Sequence, residues 1–306
     1  MARRNKYING LDFQKKHICI AQYHPEENAV VSIIIKPIEE VSDDWWENVR
    51  IDFKKLVVDL KFAGQDVYCA LPSDYAVIKR ISLDKDESAV EDALLWDFGQ
   101  NVVGAAEEYV SDYQPIPQYT TDTTKEFLFV GCRHESVKKL TGVLRVNRCN
   151  PLLLDVDILS LINVYEANYR DRLDLPAVIV QASEESSRLI LTQGGTLVGF
   201  STMDHRGEAL TPGIYIPQLQ EALTQACANH PDFNAPQREI FLAGALFLQP
   251  DFATRIGEAV SGVQILNPFK SVACRVEMSE VDLNRYAPNI AAAVGLALRG
   301  NELRNS

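Results

Sequence analysis

The side chains able to do chemistry lie scattered along this chain, and none of the familiar groupings is present. No G-x-x-x-x-G-K-[ST], G-x-S-x-G, H-E-x-x-H or G-x-G-x-x-G occurs, so phosphate-loop, serine-hydrolase, zinc-peptidase and dinucleotide chemistry lack their starting signal. His134-Glu135 and Asp204-His205 are isolated pairs that read as a helix start and a turn, not as catalytic dyads. His17, His24 and His230 have no partner that spacing assigns. Cys19, Cys69, Cys132, Cys149, Cys227 and Cys274 lie far apart with no C-x-x-C. That argues against a zinc ribbon and a disulfide framework and predicts free, mostly buried thiols.

The elements that would position a site occur in a repeated order. Ile8 to Phe13, Ile18 to Tyr23 and Ala29 to Ile35 read as a three-strand meander with turns at Gln14-Lys15-Lys16 and His24 to Asn28. A helix opened by Asp44 follows, with Glu47 as its capping-box partner and Val49, Phe53, Leu56, Val57 and Leu60 on one face. A strand, Val67 to Leu71, comes next. The second half repeats this order with strands Ala177 to Val180, Leu189 to Leu191 and Thr196 to Phe200, turned at Glu184-Glu185-Ser186 and Gln193-Gly194-Gly195. A helix from Ile216 to Ala228, a strand at Glu239 to Leu242, a helix from Phe252 to Val260 and a strand at Gln264 to Leu266 complete it. Two copies of β-β-β-α-β-α predict two similar α/β halves facing each other across a cleft.

Between the halves lies material that does not repeat. Asp84 to Val103 reads as a helix with a Ser88/Glu91 capping box and Val90, Leu94, Phe98 and Val102 down one side. Strands at Tyr109 to Tyr113 and Phe127 to Val130, a helix at Ser136 to Val146 and a strand at Leu152 to Val156 follow. The expected organisation is a first half of residues 1–83, 151–172 and 286–306, an inserted small α+β subdomain of 84–150, and a second half of 173–285. An apolar helix from Ile290 to Leu298, after Pro288, should bury against one half, and Trp45-Trp46 reads as half core and half rim.

Composition bounds the function. The 306 residues suit about two domains, and 46% hydrophobic content can build a sizeable core. There are 42 acidic and 30 basic residues, a net charge of −12 spread along the chain, which disfavours duplex nucleic acid as a partner. The apolar runs at Ile33 to Ile35 and Leu152 to Leu154 are far short of the roughly 20 residues of a membrane span. Met1-Ala2-Arg3-Arg4 is followed by polar Asn5-Lys6-Tyr7 rather than an apolar stretch, so no export signal is read and a cytoplasmic location is expected.

The local sequences, in order, resemble the actin-like PilM family of type IV pilus assembly. The matching segments are Gly10-Leu11-Asp12, Ala70-Leu71-Pro72, Val77-Ile78-Lys79-Arg80-Ile81, Leu153-Leu154-Asp155-Val156-Asp157, Phe241-Leu242-Ala243-Gly244-Ala245, Leu266-Asn267-Pro268-Phe269 and Ala291 to Leu298. Leu95-Trp96-Asp97 with Asp112-Tyr113 looks most like the short branch that serves mannose-sensitive haemagglutinin pili. The resemblance implies an α/β, actin-like (ribonuclease H-like) duplicated fold and a platform protein recruited peripherally to the inner membrane. It implies a partner too, the cytoplasmic N-terminal tail of a bitopic, PilN-like protein, with an assembly ATPase or a second copy of the chain as further contacts. The tail groove is expected where the insert meets the first half, at Ile78, Ile81, Val90, Leu94, Phe98, Phe127 and Phe129.

An ATP site on such a fold needs a strand-end Asp for metal-bound water, two loops of small residues beside the phosphates, a second carboxylate and an adenine wall. The resemblance places the vestiges at Gly10, Asp12, Gln14, Lys15, Gln181, Ser183 and Gly244. Asp12 is present, but Phe13-Gln14-Lys15-Lys16 puts long side chains where backbone must approach. Gln181-Ala182-Ser183 stands where the family carries D-[IL]-G. Glu184 and Glu185 fit a solvated turn better than a metal, and only one helix fits between Gly207 and Glu239. Weak or absent Mg-ATP binding, no turnover and no metal site are expected. The rival readings are an active actin-like ATPase or kinase, with Asp155 or Asp157 supplying the missing carboxylate, and a secretion-system platform protein. A cell-division relative would carry a C-terminal amphipathic helix, for which Asn301 to Ser306 is short and polar.

Overall fold

The computed structural model describes residues 6–205, 210–228, 230–234 and 238–305; Met1 to Asn5, Gly207 and Ser306, all used above, lie outside them. The first half comprises strands β1 (Ile8–Phe13), β2 (His17–His24) and β3 (Ala29–Pro37), helix α1 (Trp45–Asp59) and strand β4 (Asp66–Leu71). Then come β5 (Ala76–Asp84), α2 (Val90–Gly99), β6 (Tyr109–Pro115), β7 (Thr124–Arg133), α3 (His134–Val146), β8 (Asn150–Val156) and α4 (Asp157–Asn168). The second half has β9 (Ala177–Ala182), β10 (Ser186–Gln193), β11 (Thr196–Asp204), α5 (Pro212–Ala228), β12 (Glu239–Ala243), α6 (Pro250–Ala259) and β13 (Val263–Ile265). Strand β14 (Ala273–Cys274) and helix α7 (Glu280–Asn305) close the chain.

The duplication is explicit in the sheets. One is ordered β14-β3-β2-β1-β4-β8 and the other β11-β10-β9-β12-β13, each an antiparallel meander continued by two parallel strands. In this correspondence α3 is the counterpart of α6, the helix between the two parallel strands, and Leu140, Val143 and Leu144 join the first-half core. The inserted unit is therefore Ala76 to Arg133, a separate sheet ordered β5-β7-β6 with α2 on it. The boundaries expected at 84 and 150 move because β5 already belongs to the insert and α3 does not.

Helices α4 and α7 lie between the halves, and small residues let them come close. A Cβ on Gly295 would stand 1.9 Å from the Ser160 carbonyl oxygen, and one on Gly10 would stand 2.0 Å from that of Ala293. The run Ala291 to Ala297 is buried throughout, as the apolar pattern predicts, but the helix begins earlier, at Glu280. Ser279 caps it by accepting the Asp282 N–H at 3.1 Å and donating to the Asp282 carboxylate at 2.6 Å, and Pro288 is accommodated inside.

Two other helix starts differ from expectation. Asp44 caps α1 by accepting the Trp46 N–H at 2.9 Å, but Glu47 pairs with Arg50 at 2.6 Å because the Asp44 N–H donates instead to Ser42 Oγ. Leu60 is the exposed C-cap of α1, not part of its buried face. Helix α2 spans only Val90–Gly99, without a side-chain cap, since residues up to Asp84 extend β5. Gly194 and Gly195 turn β10 into β11 with φ of +61° and +70°, a conformation that favours glycine. Five cysteines are buried and Cys274 is half-buried, and none of the six is joined in a disulfide among the described residues. No helix among the described residues is long and apolar enough to cross a membrane.

Candidate functional site

The carboxyl ends of β1, β4, β8, β9 and β12 converge on a cleft between the halves, where open α/β sheets place their ligands. It encloses about 210 Å³ and is lined by the β1–β2 and β9–β10 turns, the segment after β4, the start of α4 and Gly244. Asp12, 1% exposed, sits at the end of a wholly buried strand. Its carboxyl is pushed up to about 7 by burial and then by the charge of Asp157, against the Gln14 amide that stabilises the ion.

Each of these two acids is engaged by a glutamine. Gln14 Nε2 donates to Asp12 Oδ2 at 2.7 Å and to the Asn289 carbonyl at 2.9 Å. Gln181 Nε2 reaches across from β9 and donates to Asp157 Oδ2 at 2.9 Å. Asp157 Oδ1 accepts the Ser73 and Ile158 N–H groups at 3.0 and 2.8 Å, so that carboxylate holds the β4 exit loop to the start of α4. Two ion pairs also bridge the halves: Lys15 to Glu185 at 3.2 Å, and Asp74 to the nearly buried Arg188. The Gly244 N–H donates to the Pro288 carbonyl at 2.7 Å. With φ +102°, Gly244 packs so closely on β9 that a Cβ would lie 2.4 Å from the Ala182 carbonyl oxygen. His17 Nδ1, Ser73 Oγ, Gln181 Oε1 and both side-chain polar atoms of Asn289 are buried without a protein partner, which makes the cleft floor polar.

The expected cleft residues are thus gathered, with one exception. Asp12, Gln14, Lys15, Gln181, Ser183 and Gly244 meet there, whereas Gly10 lies beneath α7, where its missing side chain serves helix packing. Ser183 is used within its own turn, accepting the Glu185 and Ser186 N–H groups. Of the alternative acids, Asp157 lines the cleft while Asp155 accepts its neighbour's Val156 N–H at 2.7 Å. Ser73, Arg188 and Asn289 were missed as cleft residues, and Asp157 was reached only through the rival reading; its legible signal was an acid closing a strand at a helix start, Asp155-Val156-Asp157.

The expected groove residues divide by strand parity. Ile81, Leu94, Phe98, Phe127 and Phe129 form the insert's own core under α2, with Phe98 4.7 Å from Phe129 and its ring filling the space above Gly131, where a Cβ would come within 2.3 Å. These five side chains are covered and cannot line an open groove; Val90 is half-buried beside them. Ile78, Leu128 and Val130 point from the other face of the sheet toward the first half, where Tyr75 and Val137 also pack. Val110, paired with Cys132 on that face, is 44% exposed. In the first half, Trp45, Trp46 and Tyr75 form an aromatic cluster, ring centroids 4.8 to 5.8 Å apart. Trp45 Nε1 donates to the Lys15 carbonyl, tying this rim to the cleft loop.

Two matched α/β halves, a cleft at their strand ends and a small inserted sheet define an actin-like fold. Solved structures of that fold match nearly the full chain. A PilM-PilN type IV pilus biogenesis complex aligns over 97% of this chain and 99% of the other, with a TM-score of 0.78 and 18% identity. A Bacteroides thetaiotaomicron protein with an actin-like ATPase fold aligns over 95% of each chain with a TM-score of 0.57 and 14% identity. The cytoplasmic domain of EpsL, an inner-membrane component of the Vibrio cholerae type II secretion system, aligns over 98% and 96% with a TM-score of 0.51 and 9% identity. No protein-family model and no curated protein sequence matches the chain.

Proposed function

We propose that this chain is a non-catalytic, actin-like scaffold of a type IV pilus assembly platform, serving pili of the mannose-sensitive haemagglutinin type. The observation that carries the reading is the likeness to the PilM-PilN complex along almost the whole of both chains, with a TM-score of 0.78 against 0.57 and 0.51 for the other two structures. On this reading the protein works in the cytoplasm and is drawn to the inner membrane by its partner, the N-terminal tail of a bitopic PilN-like protein. The tail lies between insert and first half, against Val110, Leu128 and Val130 on one side and the Trp45/Tyr75 cluster on the other. Its alternate apolar residues are buried there at the cost of ordering a flexible segment. An assembly ATPase or a second copy of the chain adds further contacts.

The cleft is read as retired from nucleotide chemistry. Mg-ATP does not fit it: both carboxylates are already bonded by glutamines, and about 210 Å³ falls below the roughly 300–1,000 Å³ of small-molecule sites. The rival reading, an active ATPase or kinase, is favoured by one observation, that Asp12 and Asp157 stand together at the strand ends. Two measurements test the reading. The tail peptide should bind at tens of micromolar or tighter in a pull-down or titration, and no association at that concentration overturns the scaffold. Calorimetric titration with Mg-ATP should be silent, and micromolar affinity restores the ATPase.

A further inference from the structure

The net charge, expected to be spread along the chain, is concentrated on the insert. Between Ala76 and Arg133 there are eleven acidic and five basic residues, −6 of the total −12, in under a fifth of the sequence. Little of it is neutralised locally. Lys79 pairs with Asp97, Arg80 with Glu126 and Arg133 with Glu108, while Lys85 and Lys125 reach only backbone carbonyls. Glu91, Asp92 and Glu107 are exposed and have no basic partner among the described residues.

Amid these acids stands the most exposed tryptophan of the chain. Leu94 and Phe98 turn fully into the insert's core, so the inward face of α2 is fixed and Trp96 points away from it, 70% exposed. Asp92 lies four residues earlier, on the same side of the helix. Val103, just past the helix end, is 79% exposed, and its carbonyl is held by Tyr109 Oη and Arg133. A large, rigid aromatic side chain left in water is costly to keep unless something covers it, and Trp is enriched among residues that dominate interfaces. The surrounding charge selects what covers it. A second copy would bring the same −6 against itself, and an anionic membrane surface would be repelled. Lys and Arg side chains find both counter-charges and an indole face, over which a cation is attracted.

We infer that the outward face of α2, with Trp96 at its centre, docks a Lys/Arg-rich protein segment. This surface is on the opposite side of the insert's sheet from the tail groove, as the burial of Leu94 and Phe98 against that of Leu128 and Val130 shows, and it does not rest on the pilus reading. The test uses the full chain labelled with 5-fluorotryptophan, the Trp96 resonance being the one lost in Trp96→Phe. The probes are two peptides of about 15 residues with identical apolar positions, one carrying Lys and Arg and the other Glu at the remaining sites. The basic peptide should shift the Trp96 resonance at low ionic strength. Glu91→Lys with Asp92→Lys should weaken that shift by roughly tenfold, whereas Glu258→Lys on α6 should leave it unchanged. All of these are surface positions, so the variants should keep the wild-type circular dichroism. The inference is overturned if the basic peptide leaves Trp96 unmoved at about 1 mM, if the acidic peptide moves it equally, or if the double reversal has no effect.

Discussion

Replacing Gln181 by Glu tests how the cleft is held. The two side chains have the same shape, so the substitution exchanges only the amide donor for an oxygen facing Asp157 Oδ2 at 2.9 Å. A hydrogen bond to a charged acceptor, worth about 1.5–3 kcal/mol, is lost. Two like charges at that distance repel by about 6 kcal/mol at an effective dielectric constant of 20. Proton uptake limits the cost: a pKa one pH unit higher in the folded state than the unfolded value near 4.3 amounts to about 1.4 kcal/mol. A raised folded pKa means that the folded state binds protons more tightly, so the penalty is absent below the unfolded value and grows as pH rises through it toward the folded one. Gln181→Glu should therefore unfold in urea at nearly the wild-type midpoint at pH 4.5 and be about 3 kcal/mol less stable at pH 8. A chain of this size should lose roughly 5 °C in Tm at that pH. Equal stability at pH 8 would show that the Gln181–Asp157 bond does not close the cleft.

Other expectations follow from the same geometry. Asp12, whose folded pKa is pushed up to about 7, should make wild-type stability decline between about pH 4 and 7, by about 1.4 kcal/mol for each pH unit crossed, and Asp12→Asn should flatten that slope in urea titrations at pH 5 and 8. Gly295→Ala, whose Cβ would meet the Ser160 carbonyl at 1.9 Å, should cost about 1–3 kcal/mol or more by prying α7 from α4; Gly257→Ala on α6, with nothing within 4 Å, should gain about 0.5–1 kcal/mol, both read from thermal melts. Phe98→Ala should cost about 3–5 kcal/mol and increase hydrogen exchange across β5 to β7. Val110→Asp, at an exposed site, should preserve the fold and weaken tail binding at least about tenfold, the expected loss for a charge placed in an apolar contact.

The halves and the order of their elements were legible because each meander is a set of short apolar runs separated by turns at Gly, Asn or charged residues, and β1, β9 and β12 fall where the pattern places them. The insert was less so. Its edge strand β5 mixes Ile78 and Ile81 with Lys79 and Arg80, since one face meets the first half and the other meets α2, and a two-faced strand carries no clean period. For the same reason Phe127 and Phe129 could not be told from Leu128 and Val130 as groove residues: parity assigns faces only once the partner layers are known. The carboxyl-end cleft was found through Asp12, but its counterpart Asp157 is recruited by Gln181 from another half, and Arg188 by Asp74 across 114 positions. Contacts between such distant residues leave no local mark.

The two halves face each other across the cleft like a pair of jaws. Here Lys15, Asp74 and Gln181 fasten the jaws from within. On the proposed reading the chain behaves as a bracket, not an engine. Its outline would then be indifferent to the energy state of the cell, and the moment at which a fibre begins to grow must be decided by some other component bolted to it.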